Sequence, residues 1–164
     1  MKKPNSNSSR RTFLKKSVAA SSFFIVPRFV LGGNGYTAPS DKLSIASIGC
    51  GGKGSSDIAH ASVNGRENVI ALCDIHPSGG HGVVDSRKRF PKARFYTDFR
   101  ELLSEEKDLD AVTISTPDHT HGIIAKTAME NKIHVYVQKP LTHNIKEARL
   151  LTELARKKKV VTQM

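Results

Sequence analysis

The stretch SIASIGCGGKGSSDI, Ser44–Ile58, decides how the chain folds. It begins with an apolar run, passes through a turn in which four of six residues are glycine, and ends in a helix-like pattern. Turns of this kind hold phosphate groups, because the first amides of a helix lack intrahelical partners. The residues around the turn therefore determine which phosphate compound it would bind.

Two glycine motifs compete for this turn, and only one of them fits. A nucleoside-triphosphate loop needs G-x-x-x-x-G-K-[ST], but Gly54 is followed by Ser55 instead of lysine. The dinucleotide fingerprint G-x-G-x-x-G fits Gly49, Gly51 and Gly54, with Gly52 inside the same turn. Its glycines permit the tight turn, admit the pyrophosphate and let helix and strand pack closely. We therefore expect these four glycines to bind a dinucleotide.

An acidic residue at the end of the next strand indicates which dinucleotide is preferred. Asp74 follows the apolar run NVIALC and lies twenty residues after Gly54. A carboxylate at this place accepts hydrogen bonds from the ribose hydroxyls of the adenosine half and repels a 2′-phosphate. NAD is therefore favoured over NADP as the cofactor, although an ordinary strand-end turn would also account for Asp74.

Beyond the glycine turn, short apolar runs alternate with longer amphipathic ones. The strands are predicted at 43–49, 68–74, 94–98, 109–116 and 133–140, and a sixth begins in the last five residues. The helices are predicted at 53–65, in the basic segment that ends near residue 92, and at 99–106, 117–132 and 144–159. This alternation predicts an α/β fold of the Rossmann type, a doubly wound parallel sheet with strand order 3-2-1-4-5-6.

The first 33 residues differ in composition from the rest of the chain. They carry seven basic residues and no acidic one, and Ser9–Lys15 matches the twin-arginine export signal S-R-R-x-F-L-K. A basic tail before a membrane anchor is the alternative, but Arg28 interrupts an apolar run much shorter than the roughly 20 residues of a spanning helix. Residues 1–33 are therefore predicted to be a twin-arginine signal peptide, 34–41 a linker and 42–164 the NAD-binding domain.

This signal predicts the cellular location and one protein partner. It implies recognition by the twin-arginine translocase, export in the folded state, and a periplasmic or secreted protein without stable membrane insertion.

Charge and cysteine content argue against two other classes of protein. The net charge is +11, but only +4 of it lies outside residues 1–33. The basic run Arg156–Lys159 ends a predicted helix, where cations interact favourably with the helix dipole. We therefore expect no nucleic-acid partner. Cys50 and Cys73 are too few for a disulfide framework and are predicted to be small buried thiols.

Two stretches that leave the fourth and fifth strands narrow the family. STPDHTH, residues 115–121, contains T-P-x-x-x-H, and VQKPLT, residues 137–142, contains a lysine–proline pair. Together with the glycine turn they resemble the glucose–fructose oxidoreductase / inositol dehydrogenase (Gfo/Idh/MocA) family, over residues 42–164. The resemblance implies an NAD-dependent oxidoreductase that acts on a hydroxyl of a sugar or polyol.

The resemblance also places residues around the nicotinamide. It implies that Thr116, Pro117 and His119 line the nicotinamide side of the cofactor and that His121 helps to shape the same wall. The His-x-His spacing alone could suggest a metal, but no cysteine or carboxylate set with ligand spacing accompanies it. No metal site is therefore predicted.

One further assignment concerns the lysine–proline pair. The resemblance makes Lys139 the active-site lysine, whose buried ammonium hydrogen-bonds the reacting hydroxyl; a surface lysine before a turn proline is the alternative. Gln138, which is also expected on the cofactor side, stands where the family usually has glutamate. Glutamine keeps the hydrogen-bonding capacity of that position and loses its charge.

Finally, the resemblance implies a second α/β domain, which would supply the remaining catalytic groups and most of the contacts to a sugar or polyol substrate. We expect that domain to be absent from this chain and the chain alone to be inactive. Three functions stay open: the oxidoreductase, an NAD-dependent glycoside hydrolase of the same superfamily, and a non-catalytic dinucleotide-binding module.

Overall fold

The structure is a computed structural model that describes residues 37–78 and 82–164. The predicted signal peptide and the first part of the predicted linker lie outside these residues. Residues 40–164 form one compact unit. Among the helices of the described ranges, none combines the length and the apolar character that crossing a membrane requires.

Strands and helices alternate along the described part of the chain, as the apolar runs predict. The strands are β1 (Ser44–Ile48), β2 (Asn68–Cys73), β3 (Arg94–Tyr96), β4 (Ala111–Ile114), β5 (His134–Val137) and β6 (Thr162–Gln163). The helices are α1 (Gly52–Ala61), α2 (Val83–Arg89), α3 (Phe99–Glu105), α4 (Asp118–Glu130) and α5 (Ile145–Lys158), and a single 3-10 turn, Pro39–Asp41, precedes β1.

The strands form one six-stranded sheet in the order β3-β2-β1-β4-β5-β6, and every neighbouring pair is parallel. This confirms the predicted fold and strand order. In register, Ile48 at the end of β1 lies opposite Cys73 on β2 and Ile114 on β4. The chain reverses its winding direction between β1 and β4, and in such sheets a crevice opens there, at the carboxyl ends of the strands.

Each face of the sheet carries its own helices and its own apolar core. Helices α3, α4 and α5 cover one face, where Leu102, Met129 and Leu151 pack on the inward residues of β1, β2, β4 and β5. Helices α1 and α2 lie together on the other face, where Val83 packs with Leu72 and Cys50. Because both faces are covered, the central strands β1 and β4 are largely buried and mostly apolar, as expected of a parallel sheet, with Ser47 and Thr113 as buried polar exceptions.

The first helix ends earlier than its sequence pattern predicts. The prediction extends it to residue 65, but α1 ends at Ala61. Val63 and Asn64 adopt positive φ angles of 48° and 55°, and Gly65 follows with a φ of 90°. Left-handed residues cannot continue a right-handed helix, so the Asn-Gly pair belongs to the turn into β2.

Candidate functional site

A cleft of about 910 Å³ lies along the carboxyl ends of the central strands. Its walls come from the segments that follow β1, β2, β3 and β4. The structure brings seven predicted cofactor residues together in it: Gly49, Gly51, Gly52, Asp74, Thr116, Pro117 and His119. The cleft therefore joins the predicted phosphate turn, the predicted ribose carboxylate and the predicted nicotinamide wall in one site.

The glycine turn is fixed by two close backbone approaches. Gly49 has a φ of +81°, and a Cβ atom there would lie 2.7 Å from the carbonyl oxygen of Ser115. A Cβ atom on Gly54 would overlap the carbonyl oxygen of Gly49. Gly54 is buried and is not among the residues that line the cleft, so its place is behind the turn, where helix and strand meet.

The amino end of α1 offers hydrogen-bond donors to the cleft. Gly51 is the N-cap residue and supplies no side-chain cap. The amides of Gly52, Lys53 and Gly54, in the first turn, have no carbonyl one turn earlier to bind. The helix dipole adds partial positive charge at the same point. This combination of free amides and a close glycine turn fits the pyrophosphate of a dinucleotide.

Asp74 is held by the backbone on both of its carboxylate oxygens. Oδ2 accepts from the Gly51 amide at 3.1 Å, and Oδ1 accepts from the His76 amide at 3.2 Å. Each carboxylate oxygen has a further lone pair, so the group can still accept from a hydroxyl. The carboxylate is therefore oriented beside the glycine turn, where the fingerprint expects a ribose-binding acid.

The wall that follows β4 is braced from behind by His121. Thr116, Pro117 and His119 line the cleft, whereas His121 is only 1% exposed. The ring nitrogens of His121 lie 2.8 Å from the carbonyl oxygen of Thr116 and 2.7 Å from that of Pro140. His121 therefore ties the predicted nicotinamide wall to the segment after β5.

Metal binding has no support from this arrangement. Both ring nitrogens of His121 already contact carbonyl oxygens. Across residues 37–78 and 82–164, no cluster of three or more histidine, cysteine, aspartate or glutamate side chains could hold a metal ion.

The structure corrects one expectation for Lys139. This residue is exposed, so the predicted buried ammonium is not found in this chain. Strand β5 ends at Val137, and Lys139 lies two residues beyond the sheet and outside the lining of the cleft. Its neighbour Gln138 is half-buried, and its side-chain amide donates to Asp57 Oδ2 at 2.9 Å.

The sequence reasoning missed Asp57, a buried acid on α1. Its side chain is 4% exposed and also accepts from Lys53 Nζ at 2.9 Å and from Ser115 Oγ at 2.7 Å. Burial raises the pKa of Asp57, but the hydrogen bonds from Lys53, Ser115 and Gln138 outweigh burial and hold this pKa below its usual value. An acid at this helical position looks like any surface carboxylate, so the sequence carries no signal of its burial.

Other lining residues that the sequence reasoning missed follow β2 and β3. They are Ile75, His76, Thr97, Asp98, Phe99 and Arg100, with Ile123 on α4. Asp98 caps α3 by accepting from the Arg100 amide at 2.8 Å, and the Arg100 guanidinium lies 4.6 Å from the Phe99 ring centroid. The position of these residues after parallel strands was the available signal, since carboxyl ends of neighbouring strands meet at one edge.

The two cysteines agree with the prediction of small buried thiols. Cys50 and Cys73 are both buried and free. Burial raises the pKa of each thiol to about 12. Because the thiolate is the reactive form, neither side chain has the character of a nucleophile.

Comparison with known proteins agrees with this geometry. The family model described as "Oxidoreductase family, NAD-binding Rossmann fold" (Gfo/Idh/MocA) matches residues 43–164. Glycosyl hydrolase family 109 protein 1 of Shewanella sp. (strain ANA-3) is 29% identical over 91% of this chain and 37% of its own length. Alpha-N-acetylgalactosaminidase of Shewanella oneidensis is also 29% identical, over 86% of this chain and 35% of its own.

A solved structure supports the same conclusion. GenD2 from gentamicin A biosynthesis, in complex with NAD, superposes with a TM-score of 0.67 and 27% identity, covering 85% of this chain and 36% of its own. The chain thus spans about a third of the length of the curated relatives it matches. With the fold, the glycine turn and the match over residues 43–164 in agreement, the chain belongs to the Gfo/Idh/MocA oxidoreductase family and forms its NAD-binding Rossmann domain.

Proposed function

We propose that this chain is the cofactor domain of an NAD-dependent oxidoreductase that transfers hydride between a sugar or polyol carbon and the nicotinamide. The observation that carries the proposal is the shared cleft, which is lined by the uncapped end of α1, by Asp74 and by Thr116, Pro117 and His119. These are the groups that a dinucleotide needs at its phosphates, its adenosine ribose and its nicotinamide.

The chain's own residues would divide the work. The first-turn amides of α1 bind the phosphates, and Asp74 accepts from the ribose while it disfavours a 2′-phosphate. Thr116, Pro117 and His119 orient the reactive ring. Bound NAD supplies the hydride acceptor. Lys139 is the residue that we assign to the substrate hydroxyl, where a cation stabilises alkoxide character as hydride leaves the carbinol carbon.

A second candidate function is a glycoside hydrolase that uses the same cofactor. The names of the relatives favour it: one is a glycosyl hydrolase family 109 protein and another an α-N-acetylgalactosaminidase. Both candidates need the same cofactor cleft and a carbohydrate substrate. They differ in whether the cofactor is reduced at the end of the reaction.

Cofactor binding is tested on the 164-residue chain itself. Titration with NADH, followed by the fluorescence of the nicotinamide, should show saturable binding, and NADPH should bind more weakly. A chain that folds but does not bind NADH would contradict the proposal.

The two reactions are separated in a polypeptide of the relatives' length that contains this chain. With NAD and a panel of sugars and polyols, an oxidoreductase accumulates NADH and oxidised sugar. A glycoside hydrolase releases the aglycone from a nitrophenyl N-acetylgalactosaminide without net accumulation of NADH. The absence of both products, with NADH binding intact, would favour a non-catalytic module.

We also propose that Ser9–Lys15 directs export through the twin-arginine translocase to the periplasm or beyond. The support is the complete match of S-R-R-x-F-L-K in a segment that has seven basic residues and no acidic one. Replacing Arg10 and Arg11 together by lysine should retain the protein in the cytoplasm of a twin-arginine-competent host. Unchanged export of that variant would contradict this assignment.

A further inference from the structure

The carboxylate of Asp57 joins three segments that meet beneath the cofactor cleft. Lys53 reaches it from the same helix, Ser115 from the end of β4 and Gln138 from the end of β5. Oδ2 accepts from both Ser115 Oγ and Gln138 Nε2, while Oδ1 faces the Lys53 ammonium. Since Ser115 lines the cleft, this network lies directly under the site.

The network bears on Lys139 because it fixes the residue immediately before it. Gln138 is anchored twice, by its backbone amide, which donates to the carbonyl of Ile114 at 2.8 Å, and by its side chain on Asp57. On the other side of Lys139, the carbonyl of Pro140 contacts the ring of His121. Lys139 is thus exposed, but both of its neighbours are held by buried polar side chains.

We propose that Asp57 is a positioning residue for Lys139, acting through the side-chain amide of Gln138. This inference rests on the proposed role of Lys139 in hydride transfer. Asp57 does not line the cleft; it sets where the chain leaves β5 and requires residue 138 to be a hydrogen-bond donor. A glutamate at 138 would place two carboxylates against each other, which explains why glutamine stands there.

In the wild type, Asp57 is the hydrogen-bond acceptor and Gln138 is the donor. The proposal can be tested by exchanging these two roles between the residues. In Gln138→Glu, two carboxylates face each other, which raises the pKa of one of them. The variant should melt about 5 °C lower at neutral pH, and its deficit should shrink as the pH falls and the pair takes up a proton. Asp57→Asn should also be destabilised, because Lys53 loses its partner and two amides face each other.

The double variant D57N/Q138E restores a donor and an acceptor with their positions exchanged. We expect it to recover most of the melting temperature lost in Gln138→Glu and to lose the pH dependence of that variant. Gln163→Glu is the matched control, because Gln163 is exposed on the outermost strand, β6. This variant should melt at the same temperature as the wild type.

A stability rescue alone would not show that Lys139 is positioned, so the backbone amide of Lys139 supplies the specific readout. The NMR resonance of this amide should shift in Gln138→Glu and return towards its wild-type position in the double variant. No recovery in the double variant, or a Lys139 resonance that is unchanged across the whole series, would overturn the proposal. Failure of wild-type protein to bind NADH would instead overturn the proposed function, because the melting curves and the Lys139 resonance are measured without cofactor.

Discussion

The two edges of the sheet use their hydrogen-bonding groups in opposite ways. At the edge where the strands begin, carboxylates satisfy the free amides: Glu67 accepts from the Leu43 amide and Asp110 from the Ser44 amide, each at 2.7 Å. At the edge where the strands end, α1 begins without a side-chain cap. Unsatisfied donors in a concave site are available to a ligand, whereas donors already paired in the chain are not.

The edge where the strands begin also has a groove, of about 770 Å³, but its buried carboxylate, Glu106, is already paired within the chain. Arg94 forms two hydrogen bonds with Glu106, at 2.8 and 2.6 Å, and the Tyr96 hydroxyl donates to the same carboxylate at 2.9 Å. Burial and the two glutamates, Glu106 and Glu105, raise the pKa of Tyr96. The two grooves are of similar size, and the unpaired donors at the start of α1 are what distinguish the candidate site.

The largest expected effect is on the glycine turn. Gly54→Ala would drive a methyl group into the carbonyl of Gly49, at a cost of about 3 kcal/mol in the free energy of unfolding, and should abolish measurable NADH binding. Gly65→Ala, at the opposite edge, is the control, since a Cβ atom there meets nothing within 4 Å. It should cost about 1 kcal/mol for its positive φ and leave NADH binding unchanged. Equal losses of NADH affinity in the two variants would contradict the claim that the cofactor binds where the strands end.

The next largest effect concerns cofactor choice. Asp74→Ala should weaken NADH binding by about 10- to 100-fold, the worth of hydrogen bonds to a charged group, and should narrow the preference over NADPH. Fluorescence titration with both cofactors measures the two affinities. Asp108→Ala removes an exposed acid at the other edge and should alter neither affinity. A preference for NADH over NADPH that is undiminished in Asp74→Ala would refute the assigned role.

A smaller effect, confined to stability, is expected at the edge where the strands begin. Glu106→Gln removes the charge that pairs with Arg94 and should lower the melting temperature by about 4 °C. NADH affinity should stay unchanged, because neither Arg94 nor Glu106 lines the cofactor cleft. Glu153→Gln, an exposed residue on α5, is the matched control for melting, and a loss of NADH affinity in Glu106→Gln would show that the edges are coupled.

The smallest expected effect is a pH dependence that comes from Asp57. Its pKa is lowered in the folded chain, so its stabilising contribution is complete above the unfolded pKa of about 3.9 and is lost as pH falls through the folded value. The difference in unfolding free energy between wild type and Asp57→Asn should therefore be largest near neutral pH and decline below about pH 4. Urea unfolding of both proteins between neutral pH and about pH 3 measures this difference. A difference in unfolding free energy that increases as the pH falls would contradict a lowered pKa of Asp57.

The fold was predictable because its signals are local. Apolar runs of strand length alternate with helical patterns, and that alternation admits a parallel sheet with helices on both faces. The spacing of the glycines predicted the phosphate-binding turn after β1, and the apolar run before Asp74 predicted that this acid follows β2. The end of α1 was misjudged because the left-handed residues Val63 and Asn64 follow from the tertiary path into β2 and not from propensity.

The site was predictable only where a motif marks it. Seven residues that the motifs mark line the cleft: Gly49, Gly51, Gly52, Asp74, Thr116, Pro117 and His119. Ile75, Phe99 and Arg100 were missed, because a residue after a strand enters the cleft only if neighbouring strands end in register. The burial of individual polar residues was not predictable from the sequence. Lys139 was expected to be buried and is exposed, whereas nothing in the sequence indicated that Asp57 is buried.

By itself, the sequence determined the order of strands and helices, the phosphate turn and the acid that would choose the cofactor, because each depends on residues close together in the chain. Only the tertiary structure decided that Asp57, Ser115 and Gln138 form one network and that the ring of His121 contacts the carbonyls of both Thr116 and Pro140. These contacts join residues separated by up to 81 positions. They exist because a parallel sheet brings the carboxyl ends of distant strands to one edge.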